Sequence, residues 1–145
     1  MKAKWLVKRW MSKPVRTVAP DDPLVDAFEL MRVHRIRHTP VVEAGRLVGM
    51  VSDRDVRHAM PMRAPSRDLS ELTYGKTLVR TPVALAMTPN PLTIAPDATI
   101  REAAQLMCRE KIGALPVVRE DELVGIISAE DLLWAFVENT AQLAD

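Results

Sequence analysis

The sequence predicts an α+β fold in which two pseudo-symmetric β-α-β-β-α units pack through their sheets. Residues 11–57 align without a gap on residues 87–133 at an offset of 76, with seventeen identities in 47 positions. Each copy carries a stretch of helical apolar spacing followed by two short Val-rich runs around a turn. Each copy also ends on the same punctuation, "GMVSDRDV" at 49–56 and "GIISAEDL" at 125–132. A constant offset of this kind marks a duplicated structural unit.

The elements follow in order. A short "RTVAP" or "LTIAP" run opens each copy as a strand. In the first copy Asp22 is the expected helix cap and Pro23 the first helical residue, with apolar positions at 24, 27, 28 and 31 forming the buried stripe. The second copy repeats that stripe at 100, 103, 104 and 107 in an Ala- and Glu-rich, helix-favouring setting. "PVV", a turn ("EAG" or "REDE") and "LVG" then predict a hairpin, and a further helix starts at Ser52 or Ser128. Residues 58 to 80 break the repeat with Pro61 and Pro65, and a short helix is expected around Leu69 and Leu72. The expected organisation is a first copy over 1–60, a linker over 61–80 and a second copy over 81–145.

Composition bounds the function classes. With 145 residues, 48% hydrophobic and 27% charged, the chain can bury a core without staples, and its net charge of +1 names no partner. Residues 1–60 carry twelve Lys and Arg against seven Asp and Glu, whereas 61–145 carry eight against twelve. A single Cys108 excludes an internal disulfide and points to a reducing cytoplasm; on its helix it reads as a partly buried thiol. No apolar stretch approaches a membrane span. No Gly-rich phosphate loop, nucleophile–base pair or metal-ligand spacing is present, so an enzyme is not expected and no cofactor is required.

Two copies of apolar-Pro-Val-Val, a hairpin, Leu-Val-Gly and Ser-x-x-Asp, each preceded by Met-(Ser/Thr) and (Val/Ile)-Ala-Pro-Asp, resemble a tandem pair of CBS domains, or Bateman module. The resemblance runs from residue 10 to about 138 and extends to small bacterial proteins that consist of little beyond one such pair. It implies an adenosine ligand, AMP, ADP, ATP or another adenosine derivative, in the clefts between the repeats. It further implies that Asp55 and Asp131 hold ribose hydroxyls with Ser52 and Ser128 beside them, and that Thr17 with Val18, and Thr93 with Ile94, line the base. Independently of the family, a carboxylate can accept two hydroxyls at once through charge-assisted bonds, and a helix start offers N–H groups to phosphate. Ser-x-x-Asp at a helix start is equally the pattern of a capping box, so a structural role stands beside the ligand one.

The copies differ where phosphate would lie. Arg37 and His38 stand where the second copy has Gly113 and Ala114, and Arg54 stands opposite Glu130. Phosphate recognition is therefore assigned to Arg37, His38 and Arg54, with unequal sites in the two copies. The alternative for Arg32, Arg35 and Arg37 is a solvated helix face. His34, His38 and His58 could titrate near neutral pH, and His34 is most simply an exposed helix residue.

Two functions compete. In the first, the chain is a sensor that signals to an effector protein in trans and, as the resemblance implies, forms a homodimer. The contact surfaces would be the repeat helices ending at Met31 and Met107 and the terminal "EDLLWAFVENTAQL", although core packing would equally explain Leu133 and Trp134. In the second, "KAKWLVKRW" makes it a protein-interaction or nucleic-acid module, with Trp5 and Trp10 among Lys2, Lys4, Lys8 and Arg9. Against this stands the simpler reading that both Trp anchor the arm.

Overall fold

The structure is a computed structural model that describes residues 2–60 and 76–143. The helix expected around Leu69 and Leu72 lies outside the described residues. The elements are α1 (Val7–Trp10), α2 (Leu24–His34), β1 (His38–Glu43), β2 (Arg46–Ser52), α3 (Asp53–Ala59), α4 (Val83–Ala86), β3 (Thr88–Pro89), α5 (Ile100–Glu110), β4 (Ala114–Arg119), β5 (Glu122–Ser128) and α6 (Ala129–Asn139). Short 3-10 turns cover Ala3–Trp5 and Ala141–Leu143.

The duplication extends into backbone detail. Both hairpins are antiparallel, with a register shift between Val41 and Val42 and again between Val117 and Val118. Both turn through two residues of positive φ, Ala44 (50°) with Gly45 (78°) and Glu120 (49°) with Asp121 (65°), the handedness that matches strand twist. Both α2 and α5 stop at a left-handed residue, Arg35 or Lys111. The opening strands, by contrast, shrink to single parallel bridges, Val18 to Val41 and Ile94 to Val117. Pro20 and Pro96, two residues on, have no N–H with which to extend a ladder.

Packing divides the chain into a unit of residues 16–91 and a unit of residues 1–15 with 92–145. Each copy thus gives its leading segment to the other copy's unit. The Val7 and Lys8 N–H groups donate to the carbonyls of Ala98 (2.8 Å) and Pro96 (2.9 Å). Seventy-six residues on, Val83 and Ala84 donate to Asp22 (2.9 Å) and Pro20 (2.8 Å). Val7 accordingly lies in the core of its unit with Leu115, Val117 and Ile127, while Val83 and Leu78 lie in the other with Leu24, Val41 and Val51.

The helix caps differ from expectation in one place. Asp22 does not cap α2. Pro23 occupies the N-cap, and the Asp22 carboxylate turns back to accept the Ala19 N–H at 2.8 Å. The same register in the second copy is Thr99, which forms a full capping box with Glu102. The two helices expected to end at Met31 and Met107 run on to His34 and Glu110, and both Met residues are only 5% exposed and belong to the cores.

Candidate functional site

In the 16–91 unit, the turn from β2 into α3 is fixed by a capping box. The Ser52 hydroxyl accepts the Asp55 N–H at 3.1 Å, and Asp55 Oδ2 accepts the Ser52 N–H at 2.8 Å. Asp55 Oδ1 takes no hydrogen bond among the described residues, so the carboxylate is oriented by one oxygen and can still accept with the other. In the other unit Ser128 and Asp131 repeat this at 3.2 and 2.8 Å. The structural reading of Ser-x-x-Asp is therefore realised in both copies, and it leaves acceptor capacity for a ligand.

Around the first box the hairpin brings His38 and Arg37. His38 is the cross-strand partner of Ser52, and the Arg37 carbonyl accepts the Asp53 N–H at 2.9 Å. His38 is half-buried, and burial pushes its imidazole below the ordinary range; the Asp53 and Asp55 carboxylates oppose that shift and the Arg37 guanidinium adds to it. Arg37 and Arg54 are exposed, while Asp53 faces Arg57 at 3.5 Å. The second copy keeps the backbone arrangement without the cations: Ala114 pairs with Ser128, and Ala129 donates to the Gly113 carbonyl at 2.9 Å. There burial raises the Asp131 carboxyl above the usual carboxylate range, against the Ser128 hydrogen bonds and with added repulsion from Glu130.

The residues assigned to the base are placed differently. Thr17 and Thr93 are exposed, whereas Val18 and Ile94 are 5% and 9% exposed and belong to the cores. Thr17 and Val18 border a hollow of about 410 Å³ along α2, whose other walls include Asp22, Asp26, Glu29 and His34. Three carboxylates make this hollow unsuited to phosphate.

Several other expectations resolve here. Trp10 anchors the arm: its Nε1–H donates to the Lys4 carbonyl at 2.7 Å and its ring packs on the core. Trp5 is 38% exposed, with Lys4 Nζ 4.9 Å from its ring centroid. Cys108, expected as partly buried, is exposed because its position on α5 lies off the buried Ala103–Met107 stripe. Leu133 and Trp134 are not core residues; they are 66% and 57% exposed. Among the described residues no group of three or more His, Cys, Asp or Glu could hold a metal ion, and no helix is long and apolar enough to cross a membrane. The Thr99–Glu102 box was legible as Thr-x-x-Glu before an apolar stripe.

A family model described as the CBS domain matches residues 7–62 and 82–138. The chain is 36% identical over 126 residues to the CBS domain-containing protein YhcV of Bacillus subtilis, covering 87% of this chain and 81% of that one. Among solved structures it is similar to CBSX2 in complex with AMP, with a TM-score of 0.74 and 27% identity over 92% of this chain and 97% of that one. It is also similar to the CBS domain pair of protein MJ0100 in complex with 5'-methylthioadenosine and S-adenosyl-L-methionine, with a TM-score of 0.73 and 27% identity over 92% and 97% of the two chains. With one match on each copy and a relative aligned over most of both lengths, the chain belongs to the CBS-domain family.

Proposed function

We propose that this chain is a non-catalytic regulatory module that binds an adenosine nucleotide, AMP, ADP or ATP, and signals to an effector protein in trans as a cytoplasmic homodimer. The observation that carries the reading is the pair of capping boxes at one register, each holding an aspartate with one oxygen unengaged among the described residues, one of them flanked by Arg37 and His38. The free oxygen suits a ribose diol and the guanidinium suits a phosphate. Support comes from CBSX2, whose complex contains AMP, and from MJ0100, whose complex contains two adenosine derivatives. Ser52, Asp55, Arg37, His38 and Arg54 form the phosphate-competent site, and Ser128 with Asp131 a second site for a less anionic adenosine compound. Residues 1–60 and 81–145 are the two copies, joined by 61–80.

Thermal shift and calorimetry against AMP, ADP, ATP, S-adenosylmethionine, NAD and cyclic dinucleotides test the reading. A ligand at about 100 times its Kd stabilises the fold by about 2.7 kcal/mol. Asp55→Asn keeps an acceptor for the Ser52 N–H and weakens ribose binding. Arg37→Ala leaves the fold intact and weakens AMP and ATP. Undiminished AMP and ATP affinity in Arg37→Ala overturns its phosphate role. No response to the whole panel, together with steeply salt-dependent RNA binding, would favour the interaction-module reading that the exposed Trp5 and Lys4 keep open.

A further inference from the structure

Arg37 keeps its charge at every physiological pH, whereas the neighbouring His38 is charged only while its imidazole holds a proton. His38 stands directly across the hairpin from Ser52, so the two side chains share one face of the sheet, and the Ser52 hydroxyl there accepts the Asp55 N–H. Among the described residues, the charged groups that act on His38 are Asp53 and Asp55 in the first turn of α3 and Arg37 just ahead of β1; β2 and α2, which also pack on β1, add none. The two carboxylates favour the imidazolium. Burial disfavours it more strongly, with help from the Arg37 guanidinium, and leaves the imidazole neutral at about pH 7. The second copy has Ala114 at this register, paired with Ser128, and so has no imidazole to protonate there.

A phosphate reverses that balance. A dianion held by Arg37 offsets the charge that repels the proton and adds an attraction of its own, in half-buried surroundings where charges interact more strongly than in water. Resting on the nucleotide reading above, we infer that the first copy's site takes up a proton on His38 as it binds a nucleotide phosphate, and therefore holds nucleotide more tightly as pH falls. The sign follows from linkage. Between the imidazole's value in the free chain and its higher value in the complex, only the complex carries the proton, so acidification across that window favours binding. The coupling is reciprocal: nucleotide draws a proton onto His38 to the same extent that the proton draws nucleotide into the site. One site thus reads acidity and nucleotide together, and Ala114 denies the second copy this response.

Calorimetry of the full chain with AMP, ADP and ATP over a series of pH values, in buffers of different ionisation enthalpy, counts the protons taken up on binding. A phosphate titrates near pH 6 by itself, but that contribution is common to the native chain and His38→Gln, and the difference between them isolates the imidazole. The native chain is expected to gain up to about tenfold more affinity per unit fall in pH than His38→Gln, with greater proton uptake. Where His38→Gln fails to fold, His34→Gln/His58→Gln decides. His38 is the last of the three histidines left in that chain, and by proton NMR its imidazole should titrate at higher pH with the nucleotide bound than without it. Equal proton uptake by the native chain and His38→Gln, or an imidazole titration that the nucleotide does not move, overturns the coupling and leaves nucleotide binding standing. No binding of AMP, ADP or ATP at any pH overturns the nucleotide reading together with the coupling.

Discussion

The thioether of Met11 lies directly on Gly125, in the space where any other residue would carry its Cβ. A Cβ built there also falls 2.9 Å from Met11 Cγ and 3.3 Å from Met11 Cβ. Met87 covers Gly49 in the same way, with the Thr88 carbonyl 3.2 Å from the added carbon. The Met-(Ser/Thr) motif and the Leu-Val-Gly motif are therefore two halves of one contact, each Met supplied by the opposite copy.

Gly125→Ala is expected to destabilise the fold. Overpacking costs about 1–3 kcal/mol, against the roughly 0.5–1 kcal/mol that alanine returns by reducing unfolded-chain freedom. Met11→Ala in the same chain should relieve part of the loss, because the two residues share one space. Urea denaturation of the two single variants and the double variant measures this. Simple additivity, or a Gly125→Ala chain as stable as the native one, would contradict the contact.

Thr39 presents the opposite case, a side chain whose chemistry the core does not use. It is fully buried on β1, and its Oγ1 has no hydrogen-bond partner among the described residues. The second copy places the fully buried Leu115 at this register. Thr39→Val removes the stranded hydroxyl while keeping the branched shape, and should stabilise the fold by about 1 kcal/mol. A lower melting temperature in Thr39→Val would mean that the hydroxyl has found a partner.

The duplication explains both what the sequence disclosed and what it concealed. Identities at Pro40, Val41, Gly49, Ser52 and Asp55 and their partners 76 residues on made the hairpins and helix starts readable, since strand and cap signals are local. The exchange of leading segments was not readable, because Val7 and Val83 carry the same local pattern whichever copy they pack on. Only the backbone pairs Val7–Ala98 and Val83–Asp22 decide it. The α2 cap was misplaced by one residue because Asp22 is the better capping type, yet Thr99 marks residue 23 as the cap register and leaves it to Pro23. At the candidate site, Arg37 and His38 stood out by contrast with Gly113 and Ala114. The burial of Val18 did not, since an apolar residue before Ala-Pro reads alike as a ligand wall or as core.

The two capping boxes should be worth similar amounts and differ in their electrostatic echo. Ser52→Ala and Ser128→Ala each remove an N-terminal cap, at about 1 kcal/mol. Ser128→Ala should also raise the Asp131 pKa further, because it removes the Ser128 side-chain contribution that opposes burial and Glu130 while the Ser128 backbone N–H bond stays. Carboxyl-carbon NMR titration reads the shift directly. A carboxyl that titrates unchanged in Ser128→Ala would show that the Ser128 side chain does not hold the charge.

His38 sets a pH dependence whose sign follows from its surroundings. Its pKa is lowered chiefly by burial, with Asp53 and Asp55 opposing and Arg37 assisting, so the folded chain resists a proton that the unfolded chain accepts. Between the lowered folded value and the ordinary imidazole value the unfolded state binds more protons, and stability therefore rises with pH across that window and falls on acidification. His38→Gln should flatten this part of the stability profile, just below the ordinary imidazole range. Asp53→Asn, by removing an opposing carboxylate, should move the imidazole titration lower still in a proton NMR experiment. An upward movement in Asp53→Asn, or an unchanged slope in His38→Gln, would place the proton sensitivity on another group.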